Sequence, residues 1–109
     1  MSKPAKSRGV RGSRTGRPIM ALLDLLGRRW SLWILWELRE HALNSRALRA
    51  ACDEASPTVL QARLDELREA GFLALGEAGY ALTPLGRELC ATFMPLYGFA
   101  ERWRKRQDG

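Results

Sequence analysis

The chain predicts a mostly α-helical fold carrying one small β-hairpin, and three observations carry that reading. In "SPTVLQARLDELREAGFL", Ser56 to Leu73, the leucines at 60, 64 and 67 recur at helical spacing and form one apolar stripe. Directly after it, "FLAL" and "YALT" read as two short strands around "GEAG", a Gly-flanked hairpin turn. A brief apolar-faced segment, about Arg46 to Cys52, precedes both. At 109 residues and 46% hydrophobic content, the chain can build one core and one domain.

Residues 1–17, "MSKPAKSRGVRGSRTGR", combine Gly, Ser and Arg without a hydrophobic face, which predicts a basic disordered N-terminal tail. The folded domain is expected over 18–109. Pro18 suits the first turn of a helix, where its missing N–H has no helical partner to lose. That helix should run to about Leu26 and stop at Gly27. A second, about Trp30 to Glu40, places Trp30, Ile34, Leu35 and Leu38 on its inner side. "HALNS" is a connector with room for a very short strand around Leu43. A third helix, about Arg46 to Cys52, presents Ala47, Leu48 and Ala51.

Ser56 is a good N-cap for the fourth helix, Pro57 a good first residue, and Gly71 a C-terminal stop. After the hairpin, Thr83-Pro84 opens a last helix with Leu85, Leu89, Leu96, Phe99 and Trp103 at near-heptad spacing. Pro95 should kink it.

The net charge of +6 is confined to one end. Residues 1–17 hold six basic side chains and no acidic one, whereas 18–109 hold twelve of each sign. A polyanion partner is therefore argued through the tail and local patches, not through the body as a whole. Cys52, Cys90 and His41 do not make a common four-ligand zinc site, so no metal and no cofactor are expected. Two thiols and no signal-peptide pattern favour a reducing, cytoplasmic setting. "PIMALLDLLG" and "WSLWILWELRE" are charge-interrupted and fall short of the ~20 residues of a membrane span. Nor is the chain expected to be an enzyme. His41 has no partnered Ser or Cys, the tail glycines lack a Gly-Lys-Ser/Thr phosphate loop, and the surface pairs Asp53-Glu54 and Asp65-Glu66 need no special role, Asp65 reading as a solvated or paired acid.

A brief helix, a turn, an amphipathic helix and a hairpin together make the winged helix-turn-helix plan. In it the second helix enters the DNA major groove with its N-terminal residues leading. The recognition helix would be about 56–70 and the wing about 72–83. Opposite the leucine stripe lie Thr58, Gln61, Ala62 and Asp65. Thr58 and Gln61 can bond base edges, Gln with a preference for adenine, and Ala62 can touch a thymine methyl. Ser56 and Pro57 open a helix N-terminus that favours a phosphate. Arg63, on the flank, suits a phosphate contact and an intramolecular pair equally. Arg46, Arg14 and Arg17 complete the candidate DNA-binding set.

The stretches "LLDLLGRRWSLWILWELRE", "SPTVLQARLDELREAGFL" and "YALTPLGRELCATFMPLYGFAERW" resemble HxlR-type winged-helix transcriptional regulators, from about Arg17 to Trp103. Gly27 with Trp30, the Ser56-Pro57 to Gly71 series and Leu82-Thr83-Pro84-Leu85-Gly86 are its specific pieces. The resemblance implies a dimeric bacterial repressor or activator with helical dimerisation elements at both ends, the first and last helices. It also implies a roughly palindromic double-stranded operator read by two copies of the fourth helix. On that basis Ile19, Leu22 and Leu23 are expected against Leu89, Phe93, Leu96 and Phe99, of the partner or of the same chain.

Three departures qualify what carries over. Arg17 stands where many members have a cysteine, so a thiol switch is not inherited, and Cys52 and Cys90 are expected as buried fillers. "GEAG" is a minimal wing tip containing Glu77, unlike a longer basic wing. Trp33 and Trp36 add aromatic bulk, expected to pack, with a cleft for a small aromatic effector as the alternative. In the tail, "SRTGRP" partly matches the Arg-Gly-Arg-Pro core of minor-groove hooks, with Thr15 in place of the first arginine. A DNA-contacting arm and a solubilising extension both remain open. The rival to DNA binding is a winged-helix protein-interaction module, because Asp65 and Glu69 make the recognition face mixed.

Overall fold

The computed structural model of the chain describes residues 16–108. It contains six helices and one hairpin, in the order α1 (Pro18–Leu26), α2 (Ser31–Glu37), α3 (Ser45–Ala51), α4 (Pro57–Glu69), β1 (Leu73–Gly76), β2 (Gly79–Leu82), α5 (Pro84–Phe93) and α6 (Pro95–Asp108). The mostly α winged helix-turn-helix architecture expected from the sequence is present.

Each helix begins where local chemistry allows. Pro opens α1, α4 and α5, where a missing N–H costs nothing. The side chains of Asn44, Ser56 and Thr83 accept the N–H groups of Ala47 (2.8 Å), Val59 (3.1 Å) and Gly86 (3.0 Å). Each such cap stabilises a helix start by ~1 kcal/mol. Thr83 also donates its hydroxyl to the Gly71 carbonyl at 2.6 Å, tying the end of α4 to the start of α5. Between α1 and α2, Gly27 keeps a right-handed conformation, and Trp30 takes the left-handed one at φ 81. That turn starts α2 later than expected and leaves Trp30 only half-buried.

The hairpin pairs Leu73 with Leu82 and Gly76 with Gly79, leaving Glu77-Ala78 as a two-residue turn. The strand expected near Leu43 is a single bridge. Leu43 N–H donates to the Tyr80 carbonyl at 3.0 Å, and Tyr80 N–H returns a bond of 2.8 Å. This fastens the wing to the connector before α3. Gly79 (φ +113) permits the approach, since a Cβ there would strike the Leu43 backbone.

The core centres on α2, whose Ile34 and Leu35 are wholly buried and Leu38 nearly so. Around them pack Leu48 of α3, Leu60, Leu64 and Leu67 of α4, Leu73, Tyr80 and Leu82 of the hairpin, and Leu89, Cys90 and Phe93 of α5. Each fully buried leucine contributes about 1.5–3 kcal/mol.

The last helix departs most from expectation. It is not one kinked rod but two helices, separated at Met94 before Pro95. The break splits what looked like one stripe. Leu89 and Phe93 face the chain's own core, at 9% and 6% exposure, whereas Leu96 and Phe99 are each 54% exposed. Of the two alternatives open to them, Leu89 and Phe93 pack within the chain's own core. Helix α6 buries none of its side chains. Its anchor is the half-buried Tyr97, stacked on Trp36 at 3.9 Å between ring centres and donating to the Leu32 carbonyl at 3.3 Å. No described helix is long and apolar enough to cross a membrane.

Candidate nucleic-acid interface

The outer face of α4 follows directly from its buried one. With Leu60, Leu64 and Leu67 pointing inward, Thr58, Gln61 and Asp65 are exposed and Ala62 is half-buried. These are short side chains on the N-terminal part of a helix opened by Ser56 and Pro57. The Ser56 hydroxyl is spent on its cap, so its role here is to fix the helix start.

Gln61 does not hang free. Its amide nitrogen donates to Asp65 Oδ1 at 2.9 Å and to the Tyr80 hydroxyl oxygen at 3.3 Å. Asp65, read from the sequence as a solvated or paired acid, is the paired one. The wing therefore braces the exposed face of α4 through Tyr80, a link across 19 residues that no local pattern announces.

Arg63 takes the intramolecular option. Its Nε meets Glu66 Oε1 at 2.9 Å as an ion pair without hydrogen-bond alignment, and its terminal nitrogen donates to Glu66 Oε2 at 3.0 Å. Arg28 approaches the same carboxylate at 3.8 Å. The Arg63 side chain is only 16% exposed, so a phosphate contact would require breaking a charge-assisted pair. Of its two options Arg63 thus takes the internal pair, and through Glu66 it is linked to Arg28 in the α1–α2 turn.

Arg46 is exposed on α3, and so is Arg49, which sequence reasoning left out. Their i, i+3 spacing, which puts both on one helix face, was the available signal. Arg17 is exposed at the N-cap of α1, where its carbonyl accepts the N–H groups of Met20 (3.0 Å) and Ala21 (3.2 Å). Arg14 and the rest of the tail before Gly16 lie outside the described residues. The wing tip, Glu77-Ala78, is exposed, and the whole hairpin contains no basic residue.

The other candidates for chemistry are absorbed by packing. Cys52 and Cys90 are free and buried. Burial, with Glu37 and Asp53 adding to it, pushes the Cys52 thiol up to about 11. Burial also raises Cys90, against the lowering effect of Arg87. Neither is poised to become a reactive thiolate. Trp33 donates its indole N–H to the Ala51 carbonyl at 3.2 Å, joining α2 to α3. Trp36 contacts Tyr97 and, at 3.8 Å, the Arg39 guanidinium. Both indoles thus make contacts within the chain. A cavity of about 500 Å³ lies between α1 and the far end of α4, against Ala21, Leu22, Leu25, Arg28, Glu66 and Phe72.

The family model for HxlR-like helix-turn-helix proteins matches residues 25–108, spanning α2 through α6. The chain belongs to that family. Solved structures agree with the assignment. The quinone-bound YodB of B. subtilis is 25% identical with a TM-score of 0.71, over 77% of this chain and 96% of its own. An HxlR family transcriptional factor from Thermoplasma volcanium GSS1 is 26% identical with a TM-score of 0.71, over 82% of this chain and 86% of its own. A MarR family regulator from Enterococcus faecalis V583, at 23% identity and a TM-score of 0.71 over 91% of this chain and 96% of its own, shares the fold. No curated protein matches the chain. Membership in the HxlR-like family makes the chain a DNA-binding transcriptional regulator by kinship.

Proposed function

We propose that this HxlR-like protein is a homodimeric, sequence-specific regulator that sets α4 in the major groove of double-stranded DNA. The observation that carries the proposal is the N-terminal half of α4. It is exposed, short-chained, capped at Ser56 and braced by the hairpin through Tyr80. Thr58, Gln61 and Ala62 are the base-facing residues, with the start of α4 at Ser56-Pro57 and the exposed Arg46 and Arg49 on phosphates. Arg14 and Arg17 would extend the contact as a basic arm.

Two copies fit because the ends of the domain are unfinished surfaces. Ile19 and Leu23 of α1 are 54% and 53% exposed, and Leu96, Phe99 and Trp103 of α6 are 54–58% exposed. Apolar side chains exposed on the first and last helices suit a self-complementary two-fold contact, with Leu22 at its inner edge. A two-fold dimer in turn calls for a roughly palindromic operator. The cleft between α1 and α4 would admit a small aromatic effector, a reading supported by the quinone bound to the similar YodB.

The test is selection of duplexes from a randomised pool, followed by binding of the Thr58→Ala, Gln61→Ala double variant. Operator affinity is expected to fall by ~1–3 kcal/mol per lost base contact while affinity for unrelated duplex holds. Equal losses on both DNAs would refute base reading by these two side chains.

A further inference from the structure

Gln61 is the one recognition-face side chain whose hydrogen-bonding groups are already divided between the protein and the outside. Its Nε2 carries two hydrogens and makes two bonds, to Asp65 Oδ1 at 2.9 Å and to the Tyr80 hydroxyl at 3.3 Å. The orientation is dictated by chemistry, because a carboxylate only accepts and would repel the amide oxygen. Among the described residues nothing donates to Gln61 Oε1. Both partners are themselves held. Asp65 stands one turn along α4, and Tyr80 is 4% exposed and locked by two backbone bonds to Leu43.

We infer that Asp65 and Tyr80 are positioning residues that turn Gln61 into an acceptor-only reader of the major groove. The inference rests on the reading of α4 as the DNA-contacting helix. A free glutamine grips adenine with two bonds, donating to N7 and accepting from the N6 amine. With both N–H groups committed, Gln61 offers only Oε1. That atom can take a hydrogen from the adenine N6 amine or the cytosine N4 amine. It gains nothing from N7, and it meets only acceptors on guanine and on thymine O4. Specificity at this position is thus set by two residues that touch no base, one of them in the wing. It also assigns the short acidic hairpin a role other than gripping phosphate.

The experiment starts from the motif that the full chain selects out of a randomised duplex pool. The base contacted by Gln61 is the one whose replacement weakens the wild type but not Gln61→Ala. At that base single groups are then removed: adenine is exchanged for purine (no amine) or 7-deazaadenine (no N7), or cytosine for its counterpart without the 4-amine. Loss of the amine should weaken wild-type binding about 5- to 100-fold, while loss of N7 leaves it within about twofold. Asp65→Ala and Tyr80→Phe, separately and together, release the amide. In them loss of N7 should become costly, or guanine or thymine should be accepted at the same position. Asp65 is exposed and Tyr80→Phe keeps the ring in the core, so the two variants test one idea from independent sides. Equal dependence on N7 and amine in the wild type, or an unchanged profile in both variants, overturns the inference. A motif indifferent to Gln61→Ala overturns it while leaving the regulator reading intact; no selected motif at all overturns both.

Discussion

At the scale of single residues, close approach and burial decide most of what can be changed. Gly86, in the first turn of α5, lies directly against the carbonyl of Phe72, and a Cβ there would collide with it. Gly86→Ala should therefore lower unfolding free energy in urea by about 1–3 kcal/mol, through overpacking. An unaffected midpoint would show that β1 and α5 can separate at no cost. Cys52 gives a pH-dependent counterpart. An unfolded-chain thiol ionises near its ordinary value of 9.0, whereas burial holds the folded Cys52 thiol up to about 11. Between those values the unfolded state sheds a proton that the folded state keeps. Stability is thus fully present below pH 9 and falls on the way to pH 11, by at most ~1.4 kcal/mol per pH unit from this group. Urea titrations over that range should show a shallower slope in Cys52→Ala than in wild type, and parallel slopes would contradict the assignment. What the sequence hid at this scale is instructive. Arg63 looked equally suited to phosphate and to an internal pair. The choice was made by Glu66 one turn on together with Arg28, a partner from another element. Trp30 gives no local sign of its left-handed backbone, because the glycine of the turn stands three residues earlier, at Gly27, in a right-handed conformation.

At the scale of elements, caps and stops were the most legible feature. Pro18, Ser56-Pro57 and Thr83-Pro84 place three helix starts correctly because capping is a matter between near neighbours in the chain. The hairpin was equally readable from its paired glycines, and Leu43 proved to be its third contact. The last helix was not. A near-heptad stripe from Leu89 to Trp103 supposes one continuous rod, and the break before Pro95 shifts the helical phase. Residues that share a face on paper then point in different directions. Assembly mutants must respect this. Leu89→Asp would bury a charge in the protomer core and should abolish cooperative unfolding altogether. Phe99→Asp, at an exposed position on α6, should keep the melting transition of the isolated domain and halve the mass on a sizing column. A Phe99→Asp dimer would move the interface away from α6. The Tyr97–Trp36 stack holds α6 to the body, so Tyr97→Ala should raise hydrogen exchange across α6 before it affects α2.

At the scale of the whole molecule, charge is separated from shape. The body between residues 18 and 109 is formally neutral and its wing is acidic at Glu77, while residues 1–17 hold six basic side chains and no acidic one. A basic arm on DNA predicts that deleting residues 2–16 weakens binding and flattens the salt dependence by ~0.9 per lost phosphate contact. An identical slope with and without those residues would remove the arm from the account. The central claim is dimeric, sequence-selective binding by α4. It is tested most directly by fluorescence anisotropy on the selected operator and a scrambled duplex across a salt series, with the mass in solution measured alongside. A dimer that prefers the operator by ~10³-fold or more at moderate salt, with affinity falling as salt rises, is expected. Equal affinity for both duplexes, or binding to neither, would contradict it.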